Sequence, residues 1–183
     1  MPVSPEQLYE QTLVLRSQIG DEAAFAELLN LYGPRLLAFT QRLMTRTPEH
    51  VADLTQEIWV AIYRGLPRLQ QIDRFKPWAF RIARDCVYRE FRRRQLLIEP
   101  LDDDAAIDRS IELDDAAAVN TEELQQCLAA LSVEHREALV LRFFEEMSYE
   151  DIAQATGVTV GTVRSRIHYG KHALRVAWKG RAL

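Results

Sequence analysis

The segment from Ser148 to Arg175 leaves little freedom in how it can fold. Ser148 and Asp151 have the spacing of a capping box, which opens a helix by satisfying its first free N–H groups. Gly157 supplies the left-handed residue that ends such a helix, and Thr159 can cap a second one from about Val160. At 100° per residue, Val160, Val163, Ile167 and Leu174 gather on one side of that second helix. Arg164, Ser165, His168, Lys171, His172 and Arg175 gather on the other. The segment reads as a helix-turn-helix: one side grips a scaffold, and the other offers donors at the width of a DNA groove.

The rest of the periodic sequence is helical too. Ser4-Pro5-Glu6 is a helix start, and Gly20-Asp21 closes that helix and caps the next. The second helix runs from about Glu22 to Met44, with Phe25, Leu28, Leu29, Leu36, Leu37 and Leu43 as core candidates. Gly33-Pro34 is expected to kink or interrupt it. A third starts at Thr47-Pro48-Glu49 and ends near Gly65-Leu66-Pro67, and a fourth covers roughly Pro77 to Leu97. Asn120 with Glu123, and then Ser132, open two more before the helix-turn-helix. No strand alternation, internal repeat or Gly-rich phosphate loop stands out. The expected fold is all-α, with two small helical domains at residues 1–97 and 124–183 joined by a flexible acidic linker at 98–123.

Net charge of −4 hides a lopsided distribution. Residues 1–34 carry −4, 35–94 carry +7, 99–123 carry −9 and 124–183 carry +2. Two basic blocks thus flank an acidic one, the pattern of polyanion-binding modules joined by a strand that imitates a polyanion. Cys86 and Cys127 are far apart with no metal-ligand spacing, which fits a reducing cytoplasm. No apolar run is long enough to span a membrane, and no secretory signal pattern opens the chain.

Two further faces carry chemistry. On the third helix Val51, Leu54, Ile58 and Ile62 form an apolar arc, and Asp53, Gln56 and Glu57 lie together opposite it. Such a stripe is either a solvated face or a docking surface for a basic partner. On the fourth, Arg81, Arg84, Tyr88 and Arg92 share a face, preceded by the loop Asp73-Arg74-Phe75-Lys76. Guanidinium groups interleaved with rings suit nucleic acid, because the cations neutralise phosphates and rings can stack on unpaired or flipped bases. Trp78 and Phe80 read as core. His168 and His172 stand at i, i+4, but no third ligand or HExxH acid accompanies them, so no metal and no cofactor is expected. There is no nucleophile elbow, Walker lysine loop or catalytic acid pair, so the chain does not read as an enzyme.

Three stretches, in order, resemble bacterial sigma factors of the extracytoplasmic-function (ECF) type. Asp53-Leu54-Thr55-Gln56-Glu57 is similar to their D-x-x-Q-E segment in region 2. Phe75 to Arg84, FKPWAFRIAR, is similar to their F-x-x-W-L-x-x-I-A-R stretch, with Arg92-Arg93-Arg94 following; Ala79 stands where Leu is usual. Leu131 to Arg175 resembles region 4, notably Arg136-Glu137-Ala138-Leu139, Ser148 to Ala153 and Gly161 to His168. The resemblance implies a promoter-specificity factor. Asp53, Gln56 and Glu57 would dock on core RNA polymerase. Arg74, Phe75, Lys76, Arg81, Arg84, Tyr88 and Arg92 would recognise and open the −10 element of promoter DNA. Arg164, Ser165, His168 and Lys171 would read the −35 element, although Tyr169-Gly170 departs from the basic residues usual there. It also implies an anti-sigma partner, no small-molecule substrate and no direct membrane insertion. The competing reading is a stand-alone helix-turn-helix repressor or activator, which would bind duplex DNA without polymerase.

Overall fold

The computed structural model describes residues 4–45, 47–95 and 121–179. Most of the expected linker, and the Asn120 cap, lie outside these residues. The described residues form eight α-helices: α1 (Pro5–Gln18), α2 (Glu22–Leu43), α3 (Val51–Gly65), α4 (Phe75–Gln95), α5 (Thr121–Ala129), α6 (Val133–Phe143), α7 (Tyr149–Thr156) and α8 (Val160–Lys179). Short 3-10 turns lead into α3 (Pro48–His50), follow it (Leu66–Arg68) and precede α4 (Ile72–Arg74). The described residues contain no strand.

Local chemistry sets the helix ends. Ser4 and Gln7 form a complete capping box on α1, and Asp21 accepts from the Ala24 N–H to start α2. Ser132, Ser148 and Thr159 each accept from the backbone N–H three residues on, starting α6, α7 and α8. The Ser148 hydroxyl also donates to the Asp151 carboxylate at 2.7 Å, so here the acid returns to the capping side chain. Gly157 sits at φ 72°, the left-handed value that ends α7 and turns the chain into α8. Gly33-Pro34 does not interrupt the helix: α2 runs from Glu22 to Leu43 with Pro34 inside it. Tertiary packing offsets the lost N–H, since Leu28, Tyr32, Leu36 and Phe39 on both sides of the proline are fully buried.

α1 to α4 form the first lobe. Leu28, Leu36 and Phe39 of α2 meet Ile58 and Ile62 of α3 and Phe80, Ala83 and Val87 of α4 in one apolar cluster. Each of the larger of these side chains contributes about 1.5–3 kcal/mol relative to exposure. Edge-to-face ring pairs lock the interior, Phe39 with Phe80 at 5.2 Å and Tyr32 with Phe75 at 5.1 Å. α5 to α8 form the second lobe, in which Leu139 and Val140 of α6, Ile152 and Ala155 of α7, and Val163 and Ile167 of α8 are buried. α6 and α8 cross closely at Gly170, where a Cβ would come within 3.1 Å of Leu139 Cγ and 3.2 Å of the His135 carbonyl oxygen. Gly170 is thus a packing feature of this lobe, whereas Tyr169 beside it is exposed. The lobes are not separate: α2 packs on α6, and α4 on α7.

Candidate nucleic-acid and partner interfaces

Three faces of the molecule collect the residues singled out by sequence. On α3 the apolar arc Val51, Leu54, Ile58 and Ile62 points into the core, which turns Asp53, Gln56 and Glu57 outward. All three are exposed, and Glu57 has a basic neighbour, Arg89 of α4 at 3.4 Å. The result is an accessible acidic and amide stripe of the kind a basic surface would meet.

The second face lies on α4 and the turn before it. Arg81 and Arg92 are exposed, whereas Arg74, Lys76, Arg84 and Tyr88 are partly covered by the second lobe. The Arg84 guanidinium stacks over the Tyr88 ring at 4.3 Å and lies 3.0 Å from the Glu137 carboxylate of α6. Tyr88 donates its hydroxyl proton to the other Glu137 oxygen at 3.2 Å. Arg74 pairs with Asp151 at 2.7 Å, and the Lys76 ammonium donates to the Glu145 backbone carbonyl. Burial, with Arg35 close by, lowers the Lys76 pKa, and burial raises that of Tyr88. At the C-terminal end, hydrogen bonds from Arg93 and Arg94 hold the Glu90 carboxyl down at about 2, so these two arginines are partly neutralised within the helix.

Phe75 departs from the sequence expectation. Its side chain is fully buried, packed edge-on against Tyr32 and beside Trp78, and it cannot meet a base without unpacking the lobe. The FKPW start of α4 sets its first turn into the core, so Phe75 supports the face without belonging to it.

The third face is the outer side of α8. Val163, Ile167 and Gly170 pack inward, and Arg164, Ser165 and His168 are exposed. The Ser165 hydroxyl donates to the Thr162 carbonyl at 2.9 Å, and His168 meets Tyr169 edge-on at 5.3 Å. Lys171 lies further along the same face. It shares the helical face, but two turns along α8 its ammonium lies 4.8 Å over the Phe143 ring at the end of α6 and is partly covered there. Among the described residues no group of three or more side chains could hold a metal.

Sequence reasoning passed over the residues that join the lobes. Arg136 is buried in α6, and its guanidinium donates to the carbonyls of Leu128, Ala129 and Leu131 around the end of α5. It also reaches the Leu43 carbonyl and Thr45 hydroxyl at the end of α2. Glu145 is buried and accepts from Arg35 of α2 at 2.9 Å. The available signal was the placing of Arg136-Glu137 directly before the apolar run Ala138 to Leu141, since buried charges need partners.

Comparison with known proteins accords with this geometry. Residues 28–96 match the Sigma-70 region 2 family and residues 121–174 the Sigma-70 region 4 family. The chain is 32% identical over 179 residues to the RNA polymerase sigma-H factor of Pseudomonas aeruginosa, covering 90% of this chain and 91% of that one. It is 31% identical over 183 residues to the ECF RNA polymerase sigma-E factor of Escherichia coli K12, covering 92% and 94%. Its fold superposes on the sigma factor RpoE of Bartonella quintana, solved with the anti-sigma factor NepR, with a TM-score of 0.71 at 26% identity, over 85% of this chain and 96% of that one. CnrH, solved with the cytosolic domain of CnrY, shares the fold with a TM-score of 0.70 at 22% identity over 94% and 98%. With both sigma regions in order on one all-helical chain, this protein belongs to the sigma-70 family, among the bacterial ECF sigma factors.

Proposed function

We propose that this sigma factor divides promoter selection among its three faces. The α3 stripe of Asp53, Gln56 and Glu57 docks on core RNA polymerase. The α4 face of Arg74, Lys76, Arg81, Arg84, Tyr88 and Arg92 receives the −10 element and holds its opened strand. The outer side of α8, with Arg164, Ser165 and His168, reads the −35 element in the major groove. The first lobe, α1 to α4, and the second, α5 to α8, act as the two DNA-binding units, with the segment between them as the tether.

The observation that carries this reading is the exposure of Arg164, Ser165 and His168 on a helix whose opposite side is packed on its own lobe. A helix presented in that way can enter a groove without disturbing the fold. Each DNA face is small, so affinity alone is modest and salt-dependent. Tethering both to polymerase raises their effective concentration at paired elements. The chain itself need catalyse nothing. A stand-alone repressor would leave the α3 stripe and the basic, aromatic α4 face without a role. An anti-sigma factor is a further partner, supported by the solved sigma factor RpoE, which was captured with the anti-sigma factor NepR. No helix among the described residues is long and apolar enough to cross a membrane, which suits action in the cytoplasm beside polymerase.

In vitro transcription with core polymerase on a pooled promoter library tests the assignment. Discrete start sites should appear with the intact chain and fade with Asp53→Ala/Glu57→Ala. Tight duplex binding without any polymerase-dependent initiation would overturn it in favour of a repressor.

A further inference from the structure

We propose that the outer ridge of α1 is a self-association surface, on which a second copy of this chain packs in antiparallel register. The inner side of α1 faces the core, where Leu13, Val14 and Ser17 are buried. On the opposite side stand Leu8, Thr12, Leu15 and the capping residue Ile19, within about 60° of one another at the turn of an α-helix. All four are exposed, Leu8 by 60%, Leu15 by 50% and Ile19 by 86%. Side chains three and four positions apart are neighbours on a helix, so these form one continuous ridge and not scattered surface leucines. None of the four belongs to the three faces described above, and the inference does not depend on them.

Spacing and charge name the occupant. The steps along the ridge are four, three and four residues, the alternation of a coiled-coil seam. That order reads the same in both directions. A second copy turned antiparallel therefore sets Leu8 against the partner's Ile19, and Thr12 against the partner's Leu15. Each contact is made twice about a two-fold axis, as an isologous dimer requires. A helix of another protein would need no such symmetry.

The ridge itself carries no charge. Beside it, Arg16 is held by Asp21 of the same chain at 2.7 Å, and the Tyr9 hydroxyl donates to Glu27. A partner recognised by its charge finds nothing on the ridge to grip. A copy of the same ridge covers it without burying an unpaired ion. Area sets the strength: four side chains per copy cover less than the roughly 800 Å² per partner of a stable interface, so the dissociation constant should be on the order of 10–100 μM.

Sedimentation velocity on the full chain, from about 2 to about 200 μM, reads the pair directly. The wild type should move from monomer towards dimer across that range. Leu15→Glu sets a carboxylate at the middle of each ridge and should weaken association at least about tenfold. Helical circular dichroism should stay the same, because the position is exposed. If Leu15→Glu loses helical signal, Ile19→Lys is read in its place. Added salt should not weaken the pair, since the seam holds no ion pair and residues 1–34 carry a net −4 that salt screens. A wild type that stays monomeric throughout overturns the proposal and leaves the ridge to a helix of another protein. A dimer that the folded variant does not weaken, or that salt dissolves, overturns it equally.

Cysteine cross-linking reads the register. A tagged Leu8→Cys chain mixed with an untagged Ile19→Cys chain, with oxidised glutathione as oxidant, should give a mixed cross-linked dimer. Neither variant alone should do so, and the native Cys86 and Cys127 are buried. Like-with-like cross-links, or no mixed product, overturn the antiparallel seam.

Discussion

Arg84 of α4 and Glu137 of α6 face each other across the two lobes, guanidinium Nε to carboxylate Oε1 at 3.0 Å, with the Glu137 side chain wholly buried. The two atoms are close, but they are not aligned for a hydrogen bond. Attraction without that bond does not offset the loss of water around the carboxylate. Burial pushes the Glu137 carboxyl up to about 7, against the opposing pull of Arg84, the Tyr88 hydrogen bond and Arg166, with Glu134 adding to the rise.

This raised value makes the folded form pH-dependent in a defined direction. Between the ordinary carboxyl value of 4.5 and about 7, the folded chain holds a proton on Glu137 that the unfolded chain has released. The stabilisation is therefore complete below that window and is lost as pH rises through about 7. Glu137→Gln is neutral throughout and lacks this component. Thermal unfolding of both proteins from about pH 5 to about pH 8.5 should show the wild type losing stability relative to the variant as pH rises. A stability gap that stays constant with pH would refute the assignment.

Arg136 is a structural hub, and its loss should be severe. Its guanidinium serves five acceptors, in Leu43, Thr45, Leu128, Ala129 and Leu131, which belong to the ends of α2 and α5. Arg136→Met leaves several of these unpaired in a buried site, at a cost of at least about 3 kcal/mol. Arg136→Lys should rescue little, because a single ammonium cannot span the planar fork of acceptors. Urea unfolding of the two variants reads both effects, and near-wild-type stability for Lys would show that charge alone suffices.

Gly170 should tolerate no side chain. An added Cβ would press on Leu139 Cγ and the His135 carbonyl where α8 crosses α6, and the backbone oxygen cannot rotate away. Gly170→Ala removes a flexible helix residue, which by itself favours folding, but overpacking at the crossing should dominate at about 1–3 kcal/mol. A melting temperature equal to or above that of the wild type would show that the helices separate without penalty.

Arg164→Ala addresses specificity. With the residue exposed on the outer side of α8, losing a bidentate base contact should remove about 1–3 kcal/mol of upstream-element discrimination. Stability should not change. The measurement is transcription in competition between promoters that differ only in that element. Unchanged preference would take Arg164 out of the reading set.

Phe75 and Lys171 show where a helical wheel stops being sufficient. Phe75 is expected in an exposed loop before the fourth helix and Lys171 on a helical face, yet Phe75 is buried against Tyr32 in the first turn of α4 and Lys171 lies over Phe143. Periodicity assigns a side to each residue of a helix. It does not show which neighbouring element will cover that side. Pro34 makes the converse point: a local helix breaker sits within α2 because the packing of Leu28 and Leu36 outweighs one lost hydrogen bond.

What the sequence determined by itself was everything governed by partners three or four residues apart. Ser4, Asp21, Ser132, Ser148 and Thr159 fixed helix starts, and Gly157 fixed the turn of the helix-turn-helix. The apolar arcs of α3 and α8 followed from the same short-range geometry, and with them the outward positions of Asp53, Gln56, Glu57, Arg164, Ser165 and His168. Only the tertiary structure decided that the lobes close on each other and that Glu137 and Glu145 meet Arg84 and Arg35. Those partners stand 49 to 110 positions apart in the contacts of Tyr88 with Glu137 and of Arg35 with Glu145. A buried charge announces that it needs a partner. Which one it finds depends on the surfaces that chain packing brings together, and no local pattern encodes that.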